Sequence, residues 1–135
     1  MDKILVKFPL TIKAKLTEKL KNSMLEEMQN GIKQAELEIS QINIQEERAV
    51  QQESGSGEEN LAMIHRHFGM ERQKREEYVA QTQARLEELE KLALGAEIVQ
   101  GQSERFAELK VGDNIRDQFN VEVVVEDDKI IAIRS

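Results

Sequence analysis

The 135 residues predict an α+β protein, with a long antiparallel coiled-coil helical hairpin inserted in a small β domain formed by the N-terminal strand and the C-terminal strands. Three observations predict it. Apolar residues alternate strictly at the N-terminus, recur with 3-4 heptad spacing through the middle, and gather into two β-branched runs at the end. The composition agrees: 39% apolar, 33% charged and only five aromatics (Phe8, Phe68, Tyr78, Phe106, Phe119) is sparse for a compact core and ordinary for long helices.

Residues 3–16 open the chain as a strand. Ile4, Val6, Phe8, Leu10, Ile12, Ala14 and Leu16 share one parity, and Lys3, Lys7, Thr11, Lys13 and Lys15 share the other; Leu5 alone breaks the pattern. Pro9 cannot donate to a ladder, so it marks a bend or an edge position. The lysine row reads either as the guard of an edge strand or as an anion-binding stripe.

At Thr17 the period changes. Thr17 is a good N-cap and Glu18 suits the first turn of a helix running from about residue 17 to 53. Its seam is Leu25, Met28, Ile32, Ala35, Ile39, Ile42, Glu46 and Ala49. Gly31 costs this helix up to ~1 kcal/mol relative to alanine without stopping it. Ser54-Gly55-Ser56-Gly57 forms the tip, and a second seam follows: Leu61, His65, Phe68, Arg72, Arg75, Val79, Thr82, Leu86, Leu89 and Ala93. A short loop between long helices favours antiparallel neighbours.

Folding between Gly55 and Ser56 pairs Leu25 with Leu86, Ile32 with Val79, Ala35 with Arg75, Ile39 with Arg72 and Ile42 with Phe68. It also makes the two polar intrusions, Glu46 and His65, meet. Each arm of ~35 residues is ~50 Å long at 1.5 Å per residue, too long for so short a chain to wrap, so it is expected to project. Gly95 is expected to end the second helix as its C′ residue.

The last forty residues return to β character. Residues 121–126 and 129–134 read as strands joined by Asp127-Asp128, a two-residue hairpin in which Asp-Asp is less comfortable than Asp-Gly. Leu109 to Asp113 reads as a strand end and turn. Ile98 and Val99 suit the start of a strand, and Ser103 to Leu109 fits either a strand or a helical turn. A two-stranded hairpin is marginal alone, so residues 3–16 are expected to join it. The domains are then 1–16 plus 95–135, and 17–94.

Composition also narrows function. Without cysteine there is no disulfide, thiol nucleophile or Cys-ligated metal. No apolar run approaches a membrane span, and no signal peptide is evident. His65 and His67 lack the i, i+4 spacing of a helical metal pair, and no nucleophile–base set, Walker loop or dinucleotide fingerprint is present. No enzyme activity, catalytic residue, metal, cofactor or small-molecule substrate is therefore expected.

The net charge of −7 is uneven: residues 1–24 carry six lysines against Asp2 and Glu18, while the remainder is acidic. An acidic chain is a poor general nucleic-acid binder, but two local patches qualify as RNA contacts. The candidates are Lys3, Lys7, Lys13 and Lys15 on the strand, and Arg66, Arg72, Lys74 and Arg75 in the basic 65–75 segment. The alternative for the second patch is an ion-paired hairpin, with Arg72 and Arg75 covering Ile39 and Ala35 by their stems while Glu36, Glu38, Glu46 and Glu47 offer partners.

Opposite the seams, Leu37 and Ile44 are seven residues apart, as are Met63 and Met70. A simple two-helix rod should be polar there. These four are the candidate partner-binding residues, for a homo-oligomer or a protein partner. The primary expectation is a non-enzymatic interaction or scaffold protein acting through its hairpin, and the alternative an RNA- or ribosome-associated factor.

The order of parts, with Leu16-Thr-Glu-Lys at the opening of the hairpin, Leu94-Gly-Ala-Glu-Ile98 at its exit and Val111-Gly-Asp113 at the turn, resembles the YlqD-like family of small bacterial proteins. The resemblance implies a cytoplasmic protein and supplies no catalytic residues to carry over. Some members are encoded beside ribosome-maturation and RNA-binding proteins, which is the family's support for the RNA alternative.

Overall fold

A computed structural model describes residues 1–55 and 57–135. The chain divides into two compact units, one of Met1–Asn22 with Leu92–Ser135, the other of Ser23–Lys91.

In the first unit four strands form one mixed sheet in the order β2-β1-β3-β4. They are β1 (Lys3–Lys15), β2 (Glu97–Lys110), β3 (Glu122–Glu126) and β4 (Lys129–Arg134). The alternation in β1 is kept. Phe8, Ala14 and Leu16 are buried, while Lys3, Lys7 and Pro9 of the other parity are exposed.

β1 pairs antiparallel with β2 along its whole length and parallel with β3 only over Thr11–Ala14. It is therefore an edge strand only for its first half and interior for its second. This corrects the simple edge reading of residues 3–16. Pro9 sits on the open half. Thr11 donates its N–H to Val121 O (3.3 Å), on the side of β1 away from β2. Pro9 has the same parity, so its missing donor faces a side where β3 has not begun and no ladder bond is lost.

Residues 97–110, ambiguous in sequence, are one 14-residue strand. Its weak periodicity has a cause: the register slips between Ile12 and Lys13 of β1, and this bulge reverses the alternation part-way along β2. A 3₁₀ turn at Ile115–Gln118, not foreseen from sequence, is capped by Asn114, whose side chain accepts from Arg116 N–H (3.0 Å). The segment holding it carries Phe119 onto Phe8, edge-to-face at 5.3 Å. Arg105 lies over the same Phe8 ring at 5.6 Å and donates to Gln118 O and Oε1, both at 2.8 Å. Between β3 and β4, Asp127 and Asp128 both take positive φ (46° and 69°), the requirement of a type I′ turn.

Thr17 caps the first helix, α1 (Glu18–Gln52), accepting from Leu20 N–H at 3.2 Å. Its hydroxyl donates to Asp127 Oδ1 (2.8 Å), tying the cap to the β3–β4 turn. The second helix, α2 (Glu58–Lys91), is preceded by Gly57, whose carbonyl accepts from Leu61 N–H. Gly55 and Gly57 have positive φ; Ser56, part of the expected fold point, lies outside the described residues. α2 ends before the expected position, so Gly95 is not its C′ residue. Gly95 (φ 93°) instead turns the chain into β2, with Ala96 N–H donating to Ala93 O and Gly95 N–H to Leu16 O (2.7 Å).

Every seam residue of α1 from Leu25 to Ala49 is at least partly covered, with Ile32, Ala35 and Ile42 buried. On α2 the seam from Phe68 to Leu89 is likewise covered, with Thr82 and Leu89 buried; His65 and Ala93 are exposed. Gly31 has a packing reason: a Cβ there would collide with the Tyr78 hydroxyl.

Candidate interaction surfaces

The polar middle of the hairpin is built from the two seams. Glu46 accepts from His65 Nδ1 (2.8 Å) through one carboxylate oxygen and pairs with Arg72 through the other. The contact between Glu46 and His65 is the one that folding at the tip anticipated. Arg72 also donates from Nε to Asn43 Oδ1 (2.9 Å), so it reaches past Ile39 along α1. Arg75 bridges helices, pairing with Glu38 (3.3 Å) and with Glu71 on its own helix (2.6 Å), and Lys74 also reaches Glu71 (3.3 Å).

The charges respond. Hydrogen bonds from His65, then Arg72, hold the Glu46 carboxyl below the usual glutamate value of about 4.5. Arg75 and Lys74 lower Glu71. Glu71, then Glu38, raises Arg75.

The sheet carries a second network that sequence reading missed. Arg134 on β4 grips Glu97 of β2 with both guanidinium nitrogens (2.6 and 2.8 Å) and reaches Glu122 of β3 (3.3 Å). Lys13 of β1 closes it onto Glu122 (2.8 Å). All four strands thus contribute a charge to one face. Arg134 lowers Glu97, and Lys13, with Arg134, lowers Glu122. No local motif signals this, because its members meet only through strand order.

The lysine row of β1 faces carboxylates on β2: Lys3 lies 4.0 Å from Glu108, and Lys7 3.2 Å from Glu104. Of the eight cations proposed for nucleic acid, Lys15 and Arg66 are those without an ion pair among the described residues. The strand and helix patches belong to separate units.

Leu37 and Ile44 on α1 and Met63 and Met70 on α2 are all exposed, each about half or more. Each lies opposite its own seam, so the pairs occupy opposite outer sides of the hairpin. The β unit adds exposed apolar residues that sequence reading did not offer as contacts, among them Leu5, Phe106, Val111, Ile130 and Ile133. Among the described residues no cluster of three or more metal-ligating side chains occurs, and no helix is long and apolar enough to cross a membrane.

A family model described as YlqD protein matches residues 4–134. The chain belongs to the YlqD family. The match spans both β segments and the whole hairpin of this YlqD chain. It is similar to a protein of unknown function from Synechococcus sp. WH 8102, seen in a crystal structure, with a TM-score of 0.88 and 26% identity over 100% of both chains. No curated protein matches it.

The paired glutamates make stability depend on pH. A carboxyl held low in the folded chain contributes stability that is full above its unfolded value and lost as pH falls through the folded one. For Glu46, Glu71, Glu97 and Glu122 the loss therefore sets in below about 4.5. The melting temperature should fall between pH 6 and pH 3, and Glu46→Gln should reduce the size of that fall. Thermal melts followed by circular dichroism check it; an unchanged fall in the variant would remove Glu46 from the account.

Proposed function

We propose that this YlqD-family chain is a non-catalytic interaction protein that self-associates or binds a protein partner through its helical hairpin. The observation that carries this reading is the exposure of Leu37, Ile44, Met63 and Met70 at heptad spacing on the outer helix faces. Their seam-facing counterparts are covered, so these apolar side chains are surplus to the fold. Apolar residues repeated along one exposed helix face suit a second contact.

Protein contact is better supported than RNA contact. Six of the eight cations that would meet phosphates are already opposed by glutamates. Releasing those pairs would offset part of the gain from displacing counterions.

The test is sedimentation of the purified chain together with capture of bound proteins. Leu37→Glu with Ile44→Glu should weaken association about tenfold or more while leaving helix content unchanged. A strict monomer that also retains no protein would overturn the reading. Recovery with ribosomal fractions that persists in these variants and disappears at high salt would favour the RNA alternative.

A further inference from the structure

β2 lies at the edge of the sheet and offers a long unpaired ladder. Its polarity follows from its pairing with β1. Val111 N–H donates to Asp2 O (3.1 Å) in the antiparallel register, so the odd-numbered residues from Gly101 onward turn their backbone groups towards β1. The even-numbered ones, Gln102, Glu104, Phe106, Glu108 and Lys110, turn theirs outward.

Unpaired edges are templates for another strand and are usually guarded by proline, lysine or short length. The open half of β1 carries Pro9 and two lysines, and β4 has only six residues. β2 has 14 residues and no proline. In its outward-bonding stretch Phe106 is 66% exposed.

We propose that β2 pairs antiparallel with β2 of a second copy of this chain, about a two-fold axis at Ala107, to make one continuous sheet. Charge favours one register. Centring on Glu104 sets that carboxylate against itself, and centring on Phe106 sets Glu104 against Glu108. Centring on Ala107 places Glu104 opposite Lys110 of the second copy, twice by symmetry.

In that register Glu104, Phe106 and Glu108 supply outward N–H donors, while Asp113 already accepts from Lys110 N–H (2.9 Å) and caps the end of the ladder. The two Phe106 rings become diagonal neighbours on one face, within reach of each other. On the other face alanine meets alanine, and Val111 meets Ser103. The contact uses the β unit alone and does not rest on the helix faces.

Equilibrium sedimentation of the full chain across the micromolar range tests it. The wild type should dimerise. Glu104→Pro removes an outward N–H and the exposed Lys7 ion pair but no backbone bond to β1, so this variant should stay folded by circular dichroism and become monomeric. Glu104→Lys and Lys110→Glu should each weaken the dimer about tenfold or more, and the double swap should restore it. A monomeric wild type would overturn the proposal, as would a dimer that survives folded Glu104→Pro. If that variant fails to fold, the swap decides alone, and absence of rescue in the double variant overturns the pairing. A dimer lost with Leu37→Glu and Ile44→Glu but indifferent to the β2 variants assigns the contact to the helices instead.

Discussion

Replacing Phe8 with alanine is expected to lower the unfolding free energy by about 3–5 kcal/mol. Phe8 is 3% exposed and touches both Phe119, in an edge-to-face pair, and the guanidinium of Arg105. Truncation leaves a cavity beside Phe119 and Arg105. It also removes the ring beneath Arg105, whose Nε is buried without a hydrogen-bond partner. The arginine then loses a favourable contact. Ile4, on the same strand and of the same parity, is exposed, and its truncation should change stability by less than about 1 kcal/mol. Urea titrations of both variants, with the slope unchanged, measure the difference. Equal midpoints would show that the Phe8–Phe119–Arg105 cluster is not a core.

The second large effect separates packing from contact on α1. Ile42 is 7% exposed and Ile44, two residues on, is 51% exposed. Ile42→Glu places a carboxylate in the seam with no cation assigned to it, at a cost of about 3–5 kcal/mol from lost burial and desolvation. Ile44→Glu should move stability by only about 0.5 kcal/mol, and should act on association instead. Melting temperature and sedimentation, read on both variants, should therefore give opposite patterns. A similar loss of stability from both would mean that Ile44 is packed within the chain, and the proposed outer face would be withdrawn.

The hairpin was readable because its determinants are local. Two heptad seams, a Ser-Gly tip and Thr17 each act within a few residues. Once the tip is placed, the register between the helices follows, so Glu46 and His65 could be paired from sequence. The outer residues Leu37, Ile44, Met63 and Met70 were legible for the same reason, since a residue seven positions from another shares its face. Gly95 shows the limit: a glycine after a helical run suits a C′ position and equally a later turn, and its bond to Leu16 settled which.

The sheet was legible only as separate strands, three of them clear and β2 ambiguous over Ser103 to Leu109. Alternation showed which side of β1 is apolar, and Asp127-Asp128 marked the last hairpin. Neither says that β1 lies between β2 and β3, or that β2 is continuous through a bulge. The lysine row looked free in sequence because Glu104 and Glu108 lie far along the chain and reach it only in one register. Arg134, Glu97, Glu122 and Lys13 likewise come from four different strands.

By itself, then, the sequence determined the type of the first strand, both helices and the last two strands, the seam of each helix and the apolar side of the first strand, because these depend on side-chain periodicity over neighbouring residues. Only the tertiary structure decided which lysines are neutralised, where Pro9 is tolerated and which ladder edge stays open. Backbone donors and charges in a sheet are satisfied by partners distant in the chain, and strand order and register choose those partners.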